Sequence, residues 1–156
     1  MTVLILGGNG QLASALKNSF ATHQIDYVSL AREELDIANP KLVRQTLSSI
    51  QPNLVVNLAA FTKVDDAESM EDLAFKVNAT GAENIAKACN EFNASLVHIS
   101  TDFVFDGLSA EPYQPEDPIN PQSIYARSKA AGEMAINKYS SSHVILRTSW
   151  VFGEYG

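Results

Sequence analysis

The chain has 156 residues, of which 46% are hydrophobic and 19% charged, a size and composition that suit one globular domain over residues 1–156. Its 11 basic and 18 acidic residues give a net charge of −7. Because binding to a phosphate backbone needs a basic face and the sequence has no Lys/Arg cluster, we expect no nucleic-acid partner.

Cysteine, histidine and apolar content exclude several further classes of protein. The single cysteine, Cys89, excludes an intramolecular disulfide and a cysteine-based zinc site, and we expect it to be a small buried residue. His23, His98 and His143 match no metal-ligand spacing, so we expect no metal site. The N-terminal residues lack a basic leader, and no stretch approaches the ~20 apolar residues that span a bilayer. We therefore expect a cytoplasmic protein without a membrane partner.

Short apolar runs alternate with longer amphipathic runs along the chain. In order they predict strand 3–6, helix 11–21, strand 26–30, helix 40–50, strand 54–58, an acidic turn at 65–72, helix 74–92, strand 96–100, helix 123–139 and strand 144–147. Each strand is followed by a helix and none alternates strictly, which indicates a parallel sheet covered on both faces. The fold class is therefore α/β, a doubly wound parallel sheet. Segment 105–122 contains four prolines and is predicted to be a long loop, functional or mobile.

The first predicted strand runs directly into a glycine-rich turn, Gly7-Gly8-Asn9-Gly10-Gln11-Leu12-Ala13. Gly8-x-Gly10-x-x-Ala13 fits the Rossmann fingerprint, and Gly7-x-x-Gly10-x-x-Ala13 fits the spacing of short-chain dehydrogenases. Glycine is needed because the turn requires positive φ and the backbone must approach a pyrophosphate closely. The N–H groups of the following helix would face the phosphates. The turn therefore predicts an NAD(P)-binding Rossmann fold.

The residues that end the second strand bear on which cofactor is used. An acid at this position would hold a ribose 2′-hydroxyl, whereas an arginine accommodates a 2′-phosphate. The sequence has Leu30-Ala31-Arg32, without an acid at the strand end. Arg32 therefore favours NADPH; NADH stays possible because Arg32 could also be a solvated surface side chain.

Tyr125 and Lys129 lie four residues apart and share one face of a predicted helix. A nearby ammonium would favour the phenolate and lower the pKa of Tyr125 toward the range of acid–base catalysis. Tyr-x-x-x-Lys alone is a common surface pattern. Thr101, however, follows the fourth strand at the carboxyl edge where open α/β sheets bind ligands. A hydroxyl, a phenol and an ammonium could converge there on one carbonyl.

Six sequence blocks in this order resemble the dTDP-4-dehydrorhamnose reductase family of extended short-chain dehydrogenases/reductases. The blocks extend over essentially the whole chain. They are Gly7-Gly8-Asn9-Gly10-Gln11-Leu12, Glu34-Leu35-Asp36-Ile37, Pro52-Asn53-Leu54-Val55-Val56-Asn57, Thr62-Lys63-Val64-Asp65-Asp66-Ala67-Glu68, Ser100-Thr101-Asp102-Phe103-Val104-Phe105-Asp106-Gly107 and Arg147-Thr148-Ser149-Trp150-Val151.

The resemblance implies reduction of the C4 carbonyl of dTDP-4-dehydro-6-deoxy-L-mannose to dTDP-L-rhamnose with NAD(P)H. Thr101 would hydrogen-bond the C4 carbonyl and Tyr125 would protonate its oxygen. Lys129 would hold the nicotinamide ribose and lower the pKa of Tyr125. The sugar would contact Thr101, Asp102 and Trp150, although Trp150 could instead be a core aromatic residue. The implied cofactor contacts are Gly7, Asn9, Gly10, Gln11, Leu12, Arg32, Asp36, Ile37, Leu58, Ala59, Ala60, Tyr125 and Lys129, with Asp36 and Ile37 by the adenine.

Family members are longer than this chain, and their C-terminal segment supplies later strands and most of the nucleotide-sugar pocket. We therefore expect the edge of the last strand and the substrate face to be exposed, which favours a homodimer or other self-association. Two alternatives stay open from the sequence. One is a non-catalytic NADP-binding subunit that resembles the regulatory subunit of methionine adenosyltransferase. The other is a different nucleotide-sugar 4-keto reductase or epimerase.

Overall fold

The computed structural model describes residues 1–155 and contains five strands and six α-helices in that range. The strands are β1 Val3–Leu6, β2 Tyr27–Leu30, β3 Leu54–Asn57, β4 Ser95–Thr101 and β5 His143–Thr148. The helices are α1 Gln11–Thr22, α2 Pro40–Ile50, α3 Val64–Ala67, α4 Glu71–Phe75, α5 Ala82–Glu91 and α6 Ile124–Tyr139. A π-helical segment, Lys76–Gly81, joins α4 to α5, and a short 3₁₀ helix, Asp102–Val104, follows β4.

The five strands form one parallel sheet in the order β2-β1-β3-β4-β5. The chain moves outward from β1 to β2 and then crosses back to build the rest of the sheet on the other side of β1. The strand order therefore reverses between β1 and β3, and the carboxyl ends of strands at such a point form a ligand crevice. The predicted doubly wound α/β fold is confirmed.

Residues on alternate sides of the strands enter two apolar clusters. Leu4 and Leu6 of β1 belong to the larger cluster, with residues of α2, α5 and α6 such as Leu47 and Ile136. Cys89 is completely buried in this cluster, as predicted, and burial raises the pKa of its thiol to about 12. The smaller cluster joins Val3, Ile5 and Val56 to α1, which contributes the buried Ala13. Both faces of β1 and β3 are thus covered.

The outer strand β5 is covered on one face only. Ile145 packs against the larger cluster, whereas Val144 and Leu146 on the opposite face are 52% and 46% exposed. One face of β5 is therefore uncovered within the residues that the structure describes. The expected exposure of the last strand is confirmed. No helix between residues 1 and 155 has the length and apolar character to cross a membrane.

Helical structure between β3 and β4 differs most from its prediction. The predicted acidic turn contains α3 and the start of α4, and the helix predicted at 74–92 begins at Glu71 and includes the π-helical segment. This segment lies where α6 crosses it closely. A Cβ atom at Gly132 of α6 would lie 2.3 Å from the carbonyl oxygen of Asn78. The local π geometry and a glycine therefore occur together at the closest approach of two backbones.

The loop between β4 and α6 is irregular, as predicted, and its own side chains hold it in place. Asp106 accepts hydrogen bonds from Tyr113 Oη (2.6 Å) and Asn120 Nδ2 (3.0 Å). The rings of Phe105 and Tyr113 stack at a centroid distance of 4.4 Å. Arg147 of β5 lies over the Phe105 ring and donates to the carbonyl oxygen of Pro115 (2.9 Å). These contacts join the loop to the edge strand.

Candidate active site

A cleft of about 770 Å³ lies along the carboxyl ends of β1, β3 and β4. It occupies the point where the strand order reverses, which is where open α/β sheets bind ligands. Every residue that the sequence analysis assigned to a site lines this cleft: Gly7, Asn9, Gly10, Gln11, Leu12, Arg32, Asp36, Ile37, Leu58, Ala59, Ala60, Thr101, Asp102, Tyr125, Lys129 and Trp150. The structure therefore brings the two predicted groups of residues into one cavity.

The glycine loop is held tightly between β2 and the segment after β3. Gly7 has a φ of +83°, and a Cβ atom there would lie 2.7 Å from the backbone nitrogen of Ala59. The N–H groups of Gly7 and Gly8 both donate to the carbonyl oxygen of Leu30 (3.0 and 2.9 Å). Positive φ and close backbone approach both favour glycine here, as the sequence predicted.

Helix α1 begins directly at the cleft. Gly10 precedes its first residue and offers no capping side chain. Because Ser14 N–H donates to the carbonyl oxygen of Gly10, the N–H groups of Gln11, Leu12 and Ala13 have no acceptor within the helix. These residues line the cleft, where the helix presents the positive end of its dipole. This end of the cleft suits an anionic group.

The rim beyond β2 carries the residue expected to select the cofactor. Arg32 is exposed and lines the cleft. Just before it, the N–H of Ala31 donates to Glu34 Oε2 (2.8 Å), a contact that shapes the turn. Asp36 Oδ1 accepts from the N–H of Ala38 (3.0 Å), and Ile37 is buried beside Gly81. The side chains of this rim thus include an exposed guanidinium and a carboxylate that already accepts a hydrogen bond from the backbone.

Thr101 is the last residue of β4 rather than the first residue beyond it. Its hydroxyl donates to Asp102 Oδ1 and accepts from the N–H of Phe103, both at 3.2 Å. The Phe103 ring meets the Tyr125 ring edge-on, with centroids 6.2 Å apart. Tyr125 lies in the first turn of α6, which Ser123 caps by accepting from the N–H of Ala126. Thr101 and Tyr125 therefore reach the cleft from β4 and α6.

The prediction that Lys129 lowers the pKa of Tyr125 is wrong for this structure. Burial raises the pKa of the Tyr125 phenol; the Thr101 hydroxyl opposes this shift and the Asp102 carboxylate adds to it. Lys129 Nζ is directed instead to the carbonyl oxygen of Ile99, at 2.7 Å, and to the ring of His98. Tyr125 is therefore a protonated phenol at neutral pH.

Lys129 is almost completely buried, with 2% of its surface exposed. Burial lowers the pKa of its amine from 10.5 to about 8, while the Glu133 carboxylate acts in the opposite direction. Glu133 is itself paired with Arg147, which donates to it at 3.1 and 2.8 Å. This lysine can therefore change its charge near neutral pH.

Asn78 of the π-helical segment was missed by the sequence analysis. Its buried amide accepts from the N–H of Phe61 (2.8 Å), donates to the carbonyl oxygen of Phe61 (3.0 Å) and donates to Ser128 Oγ (2.9 Å). Ser128 Oγ in turn donates to the carbonyl oxygen of Tyr125 (2.7 Å). Asn78 therefore ties the loop after β3 to the first turns of α6. The available signal was an amide within an otherwise helical stretch.

Ser100 was also not assigned to the site, although it lines the cleft next to Thr101. Its hydroxyl is buried and has no hydrogen-bond partner among residues 1–155. Buried polar groups are normally paired, so this hydroxyl could bond a group that enters the cleft. Further lining residues that the sequence analysis did not name for the site are Glu33, Leu35, Phe61, Thr62, Val64, Val77, Ile99, Phe103, Thr148 and Val151.

Comparisons with known proteins agree with this geometry. The dTDP-4-dehydrorhamnose reductase of Aggregatibacter actinomycetemcomitans is 40% identical over 155 residues, which are 99% of this chain and 53% of that protein. The Escherichia coli enzyme of the same name is 39% identical over 165 residues, and the match covers 100% of this chain and 53% of that enzyme. A crystal structure of dTDP-4-dehydrorhamnose reductase from Bacillus anthracis in complex with NADP is 41% identical, with a TM-score of 0.96, and the match covers 99% of this chain and 55% of that one.

This chain thus spans about half the length of the curated relatives it matches. The family model described as the RmlD substrate binding domain matches residues 1–156. The blocks that suggested the family from sequence therefore lie within a match that extends over the whole chain. The prediction from these blocks is confirmed, and the chain belongs to the RmlD substrate binding domain family, whose relatives include dTDP-4-dehydrorhamnose reductases.

Proposed function

We propose that the chain acts in the NADPH-dependent reduction of the C4 carbonyl of dTDP-4-dehydro-6-deoxy-L-mannose to dTDP-L-rhamnose, as part of a dTDP-4-dehydrorhamnose reductase. The observation that carries this proposal is the single cleft that contains both the glycine loop and the group of Thr101, Tyr125 and Lys129. The names of the relatives at about 40% identity support the substrate, and the NADP complex of the Bacillus anthracis relative supports the cofactor.

The glycine-loop end of the cleft fits a dinucleotide. A Cβ atom at Gly7 would fill space next to Ala59, and the first turn of α1 offers N–H groups for a pyrophosphate. Arg32 at the rim would bind the 2′-phosphate that distinguishes NADPH from NADH. Leu58, Ala59 and Ala60 would border the central part of the cofactor. When bound, NADPH supplies the hydride for C4.

At the other end of the cleft, the side chains would orient the carbonyl and move the proton. The raised pKa of Tyr125 keeps the proton on its Oη, from which it would pass to the C4 oxygen. The Thr101 hydroxyl would turn its proton from Asp102 Oδ1 to the same oxygen, while the N–H of Phe103 continues to hold the hydroxyl oxygen at the cleft. Lys129 would hold the nicotinamide ribose. General acid catalysis of this kind contributes about 10²–10⁴-fold to a rate.

The sugar would contact Asp102 and Trp150. Trp150 is 88% exposed at the mouth of the cleft, and its φ of +48° is unusual for a residue other than glycine. Its exposure argues against the alternative role as a core aromatic residue. A large flat ring in this position suits packing against a pyranose ring of the substrate.

We also propose self-association through the bare face of β5, in a cytoplasmic protein without nucleic-acid or membrane partners. Val144 and Leu146 form an exposed apolar pair on an edge strand, and such surfaces favour association. Leu146→Lys should therefore shift sedimentation toward smaller species. A matched substitution at another exposed leucine, Leu108→Lys, should leave the sedimentation unchanged.

The cofactor proposal is tested by titrating the chain with NADPH and NADH while nicotinamide fluorescence is recorded. NADPH should bind more tightly than NADH. Arg32→Ala should weaken the binding of NADPH by about tenfold, or about 1.4 kcal/mol, with little effect on the binding of NADH. Arg44→Ala is the control, since Arg44 pairs with Glu91 away from the cleft. Absence of binding by a chain that is folded by circular dichroism would refute the proposed function.

Turnover is tested in a hybrid in which the remaining half of the Escherichia coli relative completes this chain. Tyr125→Phe should preserve NADPH binding and lower the reduction rate by about 10²–10⁴-fold, because the variant removes the phenolic hydroxyl that donates the proton. Tyr113→Phe is the matched control, since Tyr113 bonds Asp106 in the loop between β4 and α6. Equal rates in the Tyr125 variant and the unsubstituted hybrid would refute the assigned role of Tyr125.

A further inference from the structure

His98 occupies a buried position behind Lys129 that the proposed chemistry does not use. It lies on β4 with 1% of its surface exposed, between Asn57 of β3 and Lys129 of α6. Its Nδ1 is 2.9 Å from Asn57 Nδ2, and its Nε2 is 3.3 Å from Lys129 Nζ. Both ring nitrogens are therefore in contact with polar groups, although no sequence pattern indicated a function for this histidine.

The orientation of the Asn57 amide fixes where the ring carries its proton. Asn57 Oδ1 accepts from the N–H of Ala59 (3.1 Å), so the amide nitrogen faces His98. An amide nitrogen can only donate, and Nδ1 must therefore accept. Burial and the neighbouring Lys129 hold the pKa of His98 well below its usual value, which keeps the ring neutral. A neutral ring that accepts at Nδ1 has its proton on Nε2.

The Nε2–H group then points at Lys129 Nζ. An ammonium has three donors and no acceptor, so it would oppose this N–H, whereas a neutral amine has a lone pair that accepts it. The same amine can still donate to the carbonyl oxygen of Ile99 at 2.7 Å. From Ala59 through Asn57 and His98 to Lys129, each group donates to the next. This series of hydrogen bonds starts at Ala59, which Gly7 approaches closely, and so joins the two ends of the cleft.

We propose that His98 is a positioning residue for Lys129: its ring, oriented by Asn57, holds Nζ against the Ile99 carbonyl and favours the neutral amine. The role of Lys129 at the nicotinamide ribose rests on the proposed function, but the hydrogen bonds do not. Burial lowers the pKa of Lys129 and Glu133 of α6 raises it, while Lys129 in turn lowers the pKa of His98 on β4.

Glu133 favours the ammonium, and Arg147 of β5 pairs with Glu133 and so weakens this effect. Tyr125, in the first turn of α6, and Asp102, directly after β4, also line the cleft. The segments packed against α6 from α4 to α5 contribute the amide of Asn78, which bonds Ser128 and carries no charge. His98 is thus the group that disfavours the charged lysine by direct contact.

The first measurement is the tautomer of His98, by NMR of the unsubstituted chain with ¹⁵N-labelled histidine. The chain has three histidines, so signals can be assigned by single substitutions. We expect a neutral ring with its proton on Nε2 above about pH 8, where Lys129 is the neutral amine. A proton on Nδ1, or a charged ring in this range, would overturn the inference, and this result does not depend on the folding of any variant.

The second measurement is the pH titration of Lys129 in ¹³C-lysine-labelled variants. His98→Gln offers an amide oxygen that can accept from the ammonium, and Asn57→Asp would accept from Nδ1–H and so turn the ring into an acceptor at Nε2. Both changes should raise the titration midpoint of Lys129 by about one pH unit. In Asn57→Asp the ring proton should also move to Nδ1.

His23→Gln is the matched control, because His23 is exposed and its Nδ1 lies 2.8 Å from the carbonyl oxygen of Ser19, on α1 and its C-terminal end. The titration midpoint of Lys129 in this variant should equal that in the unsubstituted chain. An unchanged Lys129 midpoint in folded His98→Gln and Asn57→Asp would overturn the inference. Neither measurement needs cofactor or turnover. A chain with the expected tautomer that fails to bind NADPH would therefore refute the proposed function and leave the role of His98 standing.

Discussion

The two ends of the cleft are built from different parts of the polypeptide. At the glycine-loop end the main chain forms the surface, through the turn at Gly7 and the free N–H groups of α1. At the lysine end the surface depends on buried polar side chains, with Lys129, His98 and Asn78 linked across separate elements. At the glycine-loop end, space and backbone angle limit which residues fit. At the lysine end, charge and hydrogen bonding limit them. Substitutions should therefore affect them in different ways.

The largest expected effect is at the glycine-loop end. Gly7→Ala places a Cβ atom 2.7 Å from the backbone of Ala59 at a φ of +83°. The left-handed conformation costs roughly 1–2 kcal/mol and overpacking roughly 1–3 kcal/mol more, so urea unfolding should show a loss of up to about 5 kcal/mol. Gly107→Ala separates the two causes, because Gly107 has a φ of +73° and nothing within 4 Å of the added atom. Equal losses in both variants would show that space does not limit this end.

The glycine-loop end could be predicted almost completely because its requirements fall on adjacent residues. Positive φ, close approach and a helix start are all encoded in Gly7 to Ala13. The lysine end was predicted in part, since Tyr125 and Lys129 share one helix face. Its supporting contacts join residues far apart in the chain, such as Asn78 with Ser128, and no local pattern indicates them.

Substitution at the lysine end should instead change how the free energy of unfolding depends on pH. Because the folded chain holds the pKa of Lys129 at about 8 and the unfolded value is near 10.5, the unfolded state binds more protons between these values. Stability should therefore rise with pH across this range, by about 3 kcal/mol, relative to Lys129→Met. The comparison is made by urea unfolding of both proteins from pH 7 to pH 10.5. A constant difference across this range would mean that the buried lysine keeps its usual pKa.

The direction of Lys129 explains why the expectation of a lowered pKa for Tyr125 has the wrong sign. Helical spacing places the two side chains on one face, but it does not say which neighbour the amine contacts. Ile99 and His98 of β4 decide this, and they lie about thirty residues earlier in the chain. Val144 and Leu146 have the composition of a covered strand, so the exposure of β5 was expected from the family resemblance and not from these residues.

The smallest expected effect sharpens the contrast at the start of α1. Ala13 is fully buried in the smaller cluster and stands where the fingerprint admits glycine or alanine. Ala13→Gly should cost about 1 kcal/mol of stability, because glycine loses more backbone entropy in a helix. NADPH affinity should not change, since the cofactor end relies on backbone N–H groups that both residues provide. A tenfold weaker affinity would show that the methyl group itself shapes the phosphate site.

The π-helical segment at Lys76–Gly81 has a consequence for insertions and deletions. A π turn contains one residue more than the α turn that would otherwise occupy the same place in the helix. Removing one residue there would let the segment close into regular α turns, and the following positions of α5 would keep their directions around the helix axis. Ile85 and Cys89, now fully buried, would then stay in the core. An inserted residue would instead turn these positions by about 100°, so this six-residue segment should tolerate a single deletion far better than an insertion.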